Sequence, residues 1–374
     1  MGTPPQSAQA ALALSGGGFR ATLFHLGSLW RLNELGCFNR LACVAGVSGG
    51  AIDAAYLGLK WRQLSFGEDG VATNYVDEVV EPVRRLCMHS IDVTPTLVNF
   101  ALSLFGVQST LLEQSYRRLL FSDAMLSDWP KPGKGPRIVV EASNLQTGCR
   151  VAFSREMVRD RRLGLLHALR LSLARVVAAS TAYPPFLSPV IVRAEPASWQ
   201  ALPESDLAQE TRLKSRLVLT DGGIHDPQGL VPIWSNYDTL LVSDASHTRQ
   251  VWRRPTSNWF RQLNRTTLMQ TVTSSLSRRE LLLAAYAHHP PLRQGAYWAN
   301  DSLIDSYGLT DILTHDSATT RALSSMRTRL NRFSPAEQGR LINWGYALCD
   351  AALRASGLAD NAPPAIWPLP DYAL

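Results

Sequence analysis

The chain has 374 residues, of which 45% are hydrophobic and 18% are charged, so it can bury the core of one large α/β domain. Its formal net charge of +6 suits contact with an anionic surface, without distinguishing phospholipid from nucleic acid. The first residues lack the pattern of a signal peptide, and no apolar run has the length of a membrane span. The five cysteines are widely spaced and form no CxxC motif, which disfavours a disulfide framework and a zinc site. We therefore expect a cytoplasmic protein that is peripheral at a membrane at most.

Short apolar runs separated by helical patterns predict five buried strands. These runs are residues 10–14, 41–47, 137–143, 215–221 and 239–245. Strands of this kind, alternating with helices, indicate a mostly parallel sheet that is covered on both faces. We expect one domain over residues 1–374, with its core in residues 10–60 and 135–250. A helical insertion is expected at 65–125 and a helical C-terminal elaboration at 251–360.

Two capping boxes predict helix starts in the C-terminal third. The first consists of Ser334 and Glu337 with a proline at the first helical position, and Gly357 stands where that helix should end. The second consists of Ser277 and Glu280, and it predicts that another helix begins just before the run LLLAAYA.

Three further stretches have a composition that suits contact with lipid. Residues 96–121 are apolar with two late arginines, and we favour a buried helix over a lid or docking helix. Residues 158–177 alternate Arg and Leu, which predicts an amphipathic helix with a solvated face, or one that lies on an anionic membrane. Residues 251–265 interleave Trp and Arg, as suits the boundary between headgroups and acyl chains, and equally a nucleic-acid groove or a protein contact.

Three consecutive glycines, Gly16, Gly17 and Gly18, connect the first strand to a helix. This layout is shared with phosphate-binding loops, and the residues formally match GxGxxG/A, but that pattern alone is weak. A dinucleotide site also needs an acidic residue at the end of the next strand, and a P-loop needs a GK[ST] sequence. Neither is found, so nucleotide binding is disfavoured.

The second strand ends in the sequence GVSGG at residues 46–50, a GxSxG motif between an apolar strand and a helix. A serine on such a sharp turn projects its hydroxyl above the edge of the sheet, which makes Ser48 a candidate nucleophile. Because consecutive parallel strands end at the same edge, the three glycines are predicted to lie beside Ser48. Their amides, at a helix N-terminus, would then stabilise an oxyanion formed when Ser48 attacks an ester.

A serine nucleophile needs a base, and Asp221 is the strongest candidate because it ends a buried strand and precedes two glycines. A carboxylate at that edge of the sheet would accept the hydroxyl proton directly. The alternative interpretation is that Asp221 caps the following turn, a common use of an Asp-Gly pair. No histidine stands in a motif, and we interpret His225 as a surface-loop residue and His25 as one that packs against the sheet.

The motifs SGGGFRA, GVSGGA and DGG, in this order, resemble those of the patatin-like phospholipases over roughly residues 10–250. The segments at 141–155 and 178–190 are similar to stretches of bacterial members of that family. The resemblance implies a three-layer α/β/α hydrolase with a mostly parallel central sheet and a Ser–Asp dyad. By position it makes Ser48 the nucleophile and Asp221 the base.

The same resemblance assigns the oxyanion hole to Gly16, Gly17 and Gly18. It gives Gly49 and Arg20 a substrate-binding or supporting role, with Arg20 either holding the glycine loop or meeting a lipid phosphate. The chain has the SGGGxRA form, which is similar to the cytosolic phospholipase A2 branch, and not the DGGGxRG form of plant patatins. Substrate preference therefore does not transfer from the plant proteins.

The implied activity is hydrolysis of acyl ester bonds in phospholipids or lysophospholipids, without a metal or another cofactor. The expected partners are the lipid substrate and a membrane contacted peripherally, and no nucleic acid, while the oligomeric state is open. A general carboxylesterase or thioesterase, and a catalytically silent lipid-binding protein of the same fold, remain as alternatives. A nucleic-acid binder is a third alternative, motivated only by the charge and by the Trp/Arg segment at 251–265.

Overall fold

The computed structural model describes residues 10–92, 107–167, 170–246, 251–360 and 362–374. Within these residues, eleven strands form one sheet. They are β1 (Ala10–Leu14), β2 (Leu41–Val47), β3 (Arg137–Asn144), β4 (Arg150–Phe153), β5 (Met157–Asp160), β6 (Gly164–His167), β7 (Val190–Arg193), β8 (Trp199–Gln200), β9 (Arg216–Asp221), β10 (Thr239–Asp244) and β11 (Gln294–Ala299). All five predicted strands are present, and each end agrees to within one residue.

The helices of the same part of the chain flank this sheet. They are α1 (Gly18–Glu34), α2 (Gly49–Lys60), α3 (Glu81–Cys87), α4 (Val107–Tyr116), α5 (Leu173–Thr181), α6 (Thr211–Ser215), α7 (Val231–Trp234), α8 (Trp259–Ala287), α9 (Ala318–Ser324) and α10 (Pro335–Ala355). Short π-helical segments precede α3 at Val76–Val80 and follow α4 at Arg117–Phe121. Of the apolar segment at 96–121, residues 93–106 lie outside the described part of the chain.

Successive side chains of the central strands point to opposite faces of the sheet, and each face has its own core. Leu12 and Leu14 of β1 pack in the larger core, which includes residues of α1, α2, α5 and α10. Ala11 and Ala13 pack in the smaller core with residues of α7 and α8. The predicted three-layer α/β/α arrangement is therefore confirmed.

The sheet is parallel at its centre and antiparallel on one side. Strands β11, β10, β1, β2 and β3 follow one another in parallel. Beyond β3, strands β4, β5, β6 and β8 pair in antiparallel fashion, and so do β9 with β3 and β7 with β9. The expectation of a mostly parallel sheet holds for the five central strands, while the strands beyond β3 are antiparallel.

Strand β3 brings together the two strand ends that carry the motifs. Strand β4 pairs along one edge of β3 at Val140–Ser143, so β2 and β9 must share the other edge. β2 runs parallel to β3 and ends with Val47 opposite Glu141, whereas β9 runs antiparallel and ends with Asp221 opposite Ala142. The ends of β2 and β9 therefore meet at adjacent residues of β3, although the two strands run in opposite directions.

The amphipathic helix predicted for residues 158–177 is wrong. The segment contains part of β5, then β6, and only at its end the start of α5. Burial alternates along β5, where Val158 and Asp160 are buried and Arg159 is exposed, so the period is two residues. The buried carboxylate of Asp160 also accepts two backbone N–H groups of the following turn, which favours a hairpin over a helix.

The helix start predicted at Ser277 and Glu280 is also wrong, because α8 runs through both residues without a break. This helix begins after Asn258, whose side chain accepts a backbone N–H of the first turn at 3.0 Å. The capping box at the start of α10 is confirmed. Ser334 Oγ accepts the amide of Glu337 at 3.3 Å, and the Glu337 carboxylate accepts the amide of Ser334 at 2.7 Å.

The C-terminal third forms part of the core. Strand β11, which the sequence analysis did not predict, extends the sheet beside β10. Helices α1 and α10 pack so closely that a Cβ on Gly27 would lie 1.8 Å from the carbonyl oxygen of Ile342. A Cβ on Gly345 would lie 1.9 Å from that of Phe24. Among the residues described, no helix is both long and apolar enough to cross a bilayer.

Candidate active site

Ser48 stands on a sharp turn between β2 and α2. Its φ of 51° and ψ of −117° are unusual for a residue with a side chain, at a cost of about 1–3 kcal/mol. The amide of Ser48 donates to Oγ of Ser180 at 2.9 Å, and the Ser180 hydroxyl donates to the carbonyl oxygen of Glu141 at 2.6 Å. Ser180, on α5, therefore ties the strained turn to the end of β3.

Ser48 and Asp221 are in direct contact. The Ser48 hydroxyl donates to Oδ2 of Asp221 at 2.8 Å, while Oδ1 of Asp221 accepts the amide of Gly223 at 2.7 Å. The two interpretations of Asp221 are therefore compatible, because one oxygen caps the turn and the other contacts Ser48. Ser48 is 8% exposed and Asp221 is 4% exposed, so the pair is largely shielded from water.

The pKa of Asp221 is raised to about 6. Burial of the carboxylate is the main cause, and the hydrogen bonds from Ser48 and from the amide of Gly223 act in the opposite direction. Such a carboxylate is ionised at neutral pH and is a stronger base than an ordinary aspartate. These properties suit a group that accepts a proton during a reaction.

The glycine loop lies beside Ser48, where it was predicted. A Cβ on Gly16 would lie 3.2 Å from Cβ of Ser48. The amide of Gly16 donates to the carbonyl oxygen of Pro227 at 2.9 Å and is therefore engaged. The amides of Gly17 and Gly18, at the start of α1, have no acceptor among the described residues. Of the three predicted oxyanion donors, Gly17 and Gly18 are therefore the two whose amides are not engaged within the described residues.

Close packing explains why this loop is made of glycine. Gly17 has a φ of 146°, and a Cβ there would lie 2.5 Å from the carbonyl oxygen of Ala245. A Cβ on Gly49 would lie 2.3 Å from the carbonyl oxygen of Gly18. The backbones of the glycine loop and the serine turn are therefore in contact, and Gly49 supports the site by permitting that approach.

Arg20 is buried, with 1% of its surface exposed. Its Nη2 donates to the carbonyl oxygens of Ala245 and Ser246 at 2.9 and 3.1 Å. Its Nη1 donates to those of Ser324 and Met326 at 3.2 and 2.9 Å. Burial lowers the pKa of the guanidinium to about 10. Of the two roles expected for Arg20, its contacts fit support of the glycine loop and not binding of a lipid phosphate.

Neither histidine near the motifs contacts Ser48 or Asp221. His25 is buried, with Nδ1 2.7 Å from Ser243 Oγ and Nε2 3.0 Å from the carbonyl oxygen of Ser15. Burial lowers the pKa of His25 to about 4, so the ring is neutral and packs against the sheet as interpreted. The side chain of His225 is exposed.

A cavity of about 380 Å³ opens above Ser48 and Asp221. Much of its wall is apolar, and the large apolar side chains that line it are Phe186, Leu187, Ile224, Leu268, Val272 and Leu330. Pockets of a few hundred Å³ with apolar walls and a few polar groups are typical of sites for small organic ligands. Here the polar groups include the Ser48–Asp221 pair and the glycine loop.

Residues 264–275 of α8 form one wall of this cavity. Their contributions follow a helical spacing along one face, namely Asn264, Leu268, Thr271, Val272 and Ser275. The hydroxyls of Ser275 and Ser246 are 2.9 Å apart and join α8 to the end of β10. Sequence reasoning missed this wall, because polar and apolar residues are mixed at the inward positions.

Arg329 also lines the cavity, and sequence reasoning missed it because no motif surrounds it. Its carbonyl oxygen accepts the amide of Phe19 at 3.0 Å, which places it against the glycine loop. Its Nε donates to Oδ2 of Asp92 at 2.8 Å, and its side chain is 41% exposed. Within the part of the chain that the structure describes, its two Nη nitrogens make no hydrogen bond.

Metal binding has no candidate in the described ranges, where no three His, Cys, Asp or Glu side chains are arranged to hold an ion. The four cysteines Cys37, Cys43, Cys87 and Cys349 are buried, and Cys149 is partly buried.

A sequence profile described as patatin-like phospholipase matches residues 12–235, which include the glycine loop, Ser48 and Asp221. Human GIVD cytosolic phospholipase A2 is a structural neighbour with 13% identity and a TM-score of 0.45, over 94% of this chain and 62% of that chain. Its complex with methyl gamma-linolenyl fluorophosphonate gives 14% identity and a TM-score of 0.47, over 96% and 61%. VipD from Legionella pneumophila gives 15% identity and a TM-score of 0.39, over 94% and 67%. A comparison with curated protein sequences finds no match.

The profile match runs from β1 to α7 and covers more than half of the chain. This chain spans about three fifths of the length of the human phospholipase chain. The chain belongs to the patatin-like phospholipase family.

Proposed function

We propose that the chain is a lipid acyl hydrolase that cleaves acyl ester bonds of phospholipids or lysophospholipids. The observation that carries this proposal is the 2.8 Å hydrogen bond from the Ser48 hydroxyl to the buried carboxylate of Asp221, at an apolar cavity. A nucleophile within hydrogen-bond reach of its base is the arrangement that covalent catalysis requires. The apolar walls favour an acyl chain over a polar substrate.

In the first half of the reaction, Asp221 accepts the hydroxyl proton as Oγ of Ser48 attacks the ester carbonyl carbon. The carbonyl oxygen becomes an oxyanion beside the amides of Gly17 and Gly18, at the positive end of the α1 dipole. One such donor contributes about 2.7–4 kcal/mol to the stability of the transition state. The bond to the lipid alcohol then breaks, Asp221 returns the proton to the leaving oxygen, and the acyl group remains on Ser48.

In the second half, a water molecule replaces the alcohol and Asp221 accepts one of its protons. The resulting hydroxide attacks the acyl carbonyl, and the same two glycine amides stabilise the oxyanion. The bond between the acyl carbon and Oγ of Ser48 breaks, and Oγ takes back the proton from Asp221. The fatty acid leaves, and the enzyme returns to its starting state without a net change in protonation.

Arg329 supports a phospholipid rather than a neutral ester as the substrate. Arg329 lines the same cavity as Ser48, and beyond the pairing of its Nε with Asp92 both Nη groups make no hydrogen bond within the described residues. Guanidinium groups bind phosphate through paired N–H groups. We therefore assign Arg329 to the phosphate of the headgroup, a role that the contacts of Arg20 do not support.

The test is covalent labelling with a fluorophosphonate probe, read by intact mass. Wild type is compared with Ser48→Ala and Asp221→Asn, and with Ser122→Ala as a matched control. Ser122 is the other non-glycine residue with positive φ in the described chain, and it does not line the cavity. We expect one adduct in wild type and in Ser122→Ala, none in Ser48→Ala and slow labelling in Asp221→Asn.

Release of fatty acid is then measured on phospholipid, lysophospholipid and short neutral esters. Faster turnover of the phosphate-containing lipids would support the substrate assignment. Faster turnover of the neutral esters would replace it with a general carboxylesterase. An adduct that persists in Ser48→Ala would overturn the assignment of the nucleophile.

A further inference from the structure

Residues 245–279 contain seven arginines and no aspartate or glutamate, and the arginines are Arg249, Arg253, Arg254, Arg261, Arg265, Arg278 and Arg279. Arg278 and Arg279 form ion pairs with acidic side chains of neighbouring segments. Arg253, Arg254 and Arg261 are exposed, and no acidic residue of the described chain pairs with them. These three arginines therefore carry a positive charge that no acidic side chain of the described residues neutralises.

Large apolar side chains are exposed among these arginines. Trp259 is 73% exposed, Leu263 is 58% exposed and Met269 is 54% exposed. Trp259 and Leu263 are four residues apart on α8, so they lie on the same face one turn apart. A group of exposed apolar residues amid basic ones is typical of a surface that lies in the headgroup region of a membrane.

The opposite face of α8 lines the cavity above Ser48. Leu268 and Val272, which contribute to that wall, follow Trp259 and Leu263 by nine residues each. At about 100° per residue, nine residues place a side chain on the other side of the helix. A contact on the outer face of α8 would therefore bring lipid next to the wall of the cavity.

We propose that a docking surface, formed by Arg253, Arg254, Trp259, Leu263 and Met269, binds the face of an anionic phospholipid bilayer. The arginines meet the headgroup phosphates, and the apolar side chains enter the boundary with the acyl chains. Of the three apolar side chains only Trp259 could stack on a nucleobase, whereas Leu263 and Met269 could not, which favours a bilayer over nucleic acid. The proposal rests on the proposed function only in its choice of lipid, because docking does not require catalysis.

The experiment measures sedimentation of the Ser48→Ala protein with phosphatidylcholine vesicles, with and without phosphatidylglycerol. Ser48→Ala removes the proposed nucleophile, so the vesicles stay intact during the measurement. We expect tighter binding to the anionic vesicles, and weaker binding as salt is added. At about fivefold per arginine, Arg253→Gln/Arg254→Gln should weaken binding to them about 25-fold.

A second double variant, Trp259→Ser/Leu263→Ser, should weaken binding at low and at high salt. The matched control is Arg212→Gln/Ile366→Ser, which removes an exposed arginine and an apolar side chain that is 73% exposed, both outside α8 and the cavity. This control should bind as the parent does. Circular dichroism of each variant confirms that the fold is retained.

Equal binding to neutral and anionic vesicles, or variants that bind like the control, would overturn the docking surface. Tighter binding to duplex DNA than to anionic vesicles at the same salt would reassign the surface to nucleic acid and overturn it as well. The proposed function and the docking surface can be overturned independently of each other. Docking without a fluorophosphonate adduct on Ser48 would overturn catalysis alone, and an adduct without docking would overturn the docking surface alone.

Discussion

The amide of Ser48 donates a hydrogen bond to the hydroxyl of Ser180, 2.9 Å away on α5, and this bond holds the serine turn in its positive-φ conformation. Ser180→Ala leaves the buried amide unpaired, at a cost of about 1–3 kcal/mol. The Ser48 turn should then shift, and a small misplacement of a nucleophile is costly. We expect fluorophosphonate labelling of Ser48 to slow about 10–100-fold.

The control for Ser180 is Ser28→Ala. Ser28 is also fully buried, and its hydroxyl donates to the carbonyl oxygen of Gly345 at 3.1 Å, away from the site. Both variants should unfold at lower urea concentration, whereas only Ser180→Ala should label slowly. Equal slowing in the two variants would mean that Ser180 acts through general stability and does not position Ser48.

The raised pKa of Asp221 predicts the pH dependence of the reaction. Because burial holds this pKa at about 6, the base is progressively protonated below that pH. The rate of Ser48 labelling should therefore fall about tenfold per pH unit below 6 and level off above about pH 7. Stopped labelling reactions read by intact mass would give this profile. A rate that stays level down to pH 4 would show that Asp221 is not the base.

Asp221→Asn should increase stability at alkaline pH. Because the folded-state pKa is raised from 3.8 to about 6, the native state holds the proton more tightly than the unfolded chain. The favourable contribution of Asp221 to the free energy of unfolding is complete below about pH 3.8, and it is lost as the pH rises through 6. At pH 8 the wild type therefore carries a buried charge that the variant lacks. At 1.36 kcal/mol per pKa unit, the variant gains at most about 3 kcal/mol.

Urea unfolding of wild type and Asp221→Asn at pH 8 and at pH 4 measures this difference. The gain should be present at pH 8 and should shrink towards zero at pH 4. Asp206→Asn, at an exposed aspartate, is the control and should not reproduce the gain. A variant that is less stable than wild type at pH 8 would mean that the carboxylate is stabilised in its charged form.

Arg329→Gln tests the assignment of the headgroup phosphate. The variant keeps a polar side chain but loses the charge that we assign to the headgroup phosphate, so phospholipid should bind more weakly while a short neutral ester is unaffected by that loss. We expect kcat/KM for phospholipid to fall about tenfold or more, corresponding to about 1.5–3 kcal/mol for a hydrogen bond to a charged group. Arg332→Gln, at an exposed arginine outside the cavity, is the control. An equal loss on both substrates would point to displacement of the glycine loop.

The residues at strand ends were predictable because the signals are local. Ser48 and Asp221 each follow a continuous apolar run and precede glycine, which places them at the edge of the sheet whatever the rest of the chain does. The direction of β9 was not predictable, because it depends on pairing with β3, more than seventy residues earlier. The two strands meet only in the folded state.

Local signals failed where tertiary contacts opposed them. Ser277 and Glu280 form a capping pattern, yet Leu282 packs beneath the sheet and the helix continues through all three. Ser180 and Arg329 belong to the site through contacts with Glu141 and Phe19, which are distant in sequence. No pattern in the sequence around either residue indicates such a contact.

The close approach of Gly27 to Ile342, and of Gly345 to Phe24, also decides how small a working version of this protein can be. A fragment cut after residue 235 would retain Ser48, Asp221 and the glycine loop. It would nevertheless lack α10, which packs against α1, and it would leave one edge of β1 without β10. The shortest chain able to fold is therefore longer than the stretch that carries the motifs, and truncated versions should aggregate before their chemistry can be measured.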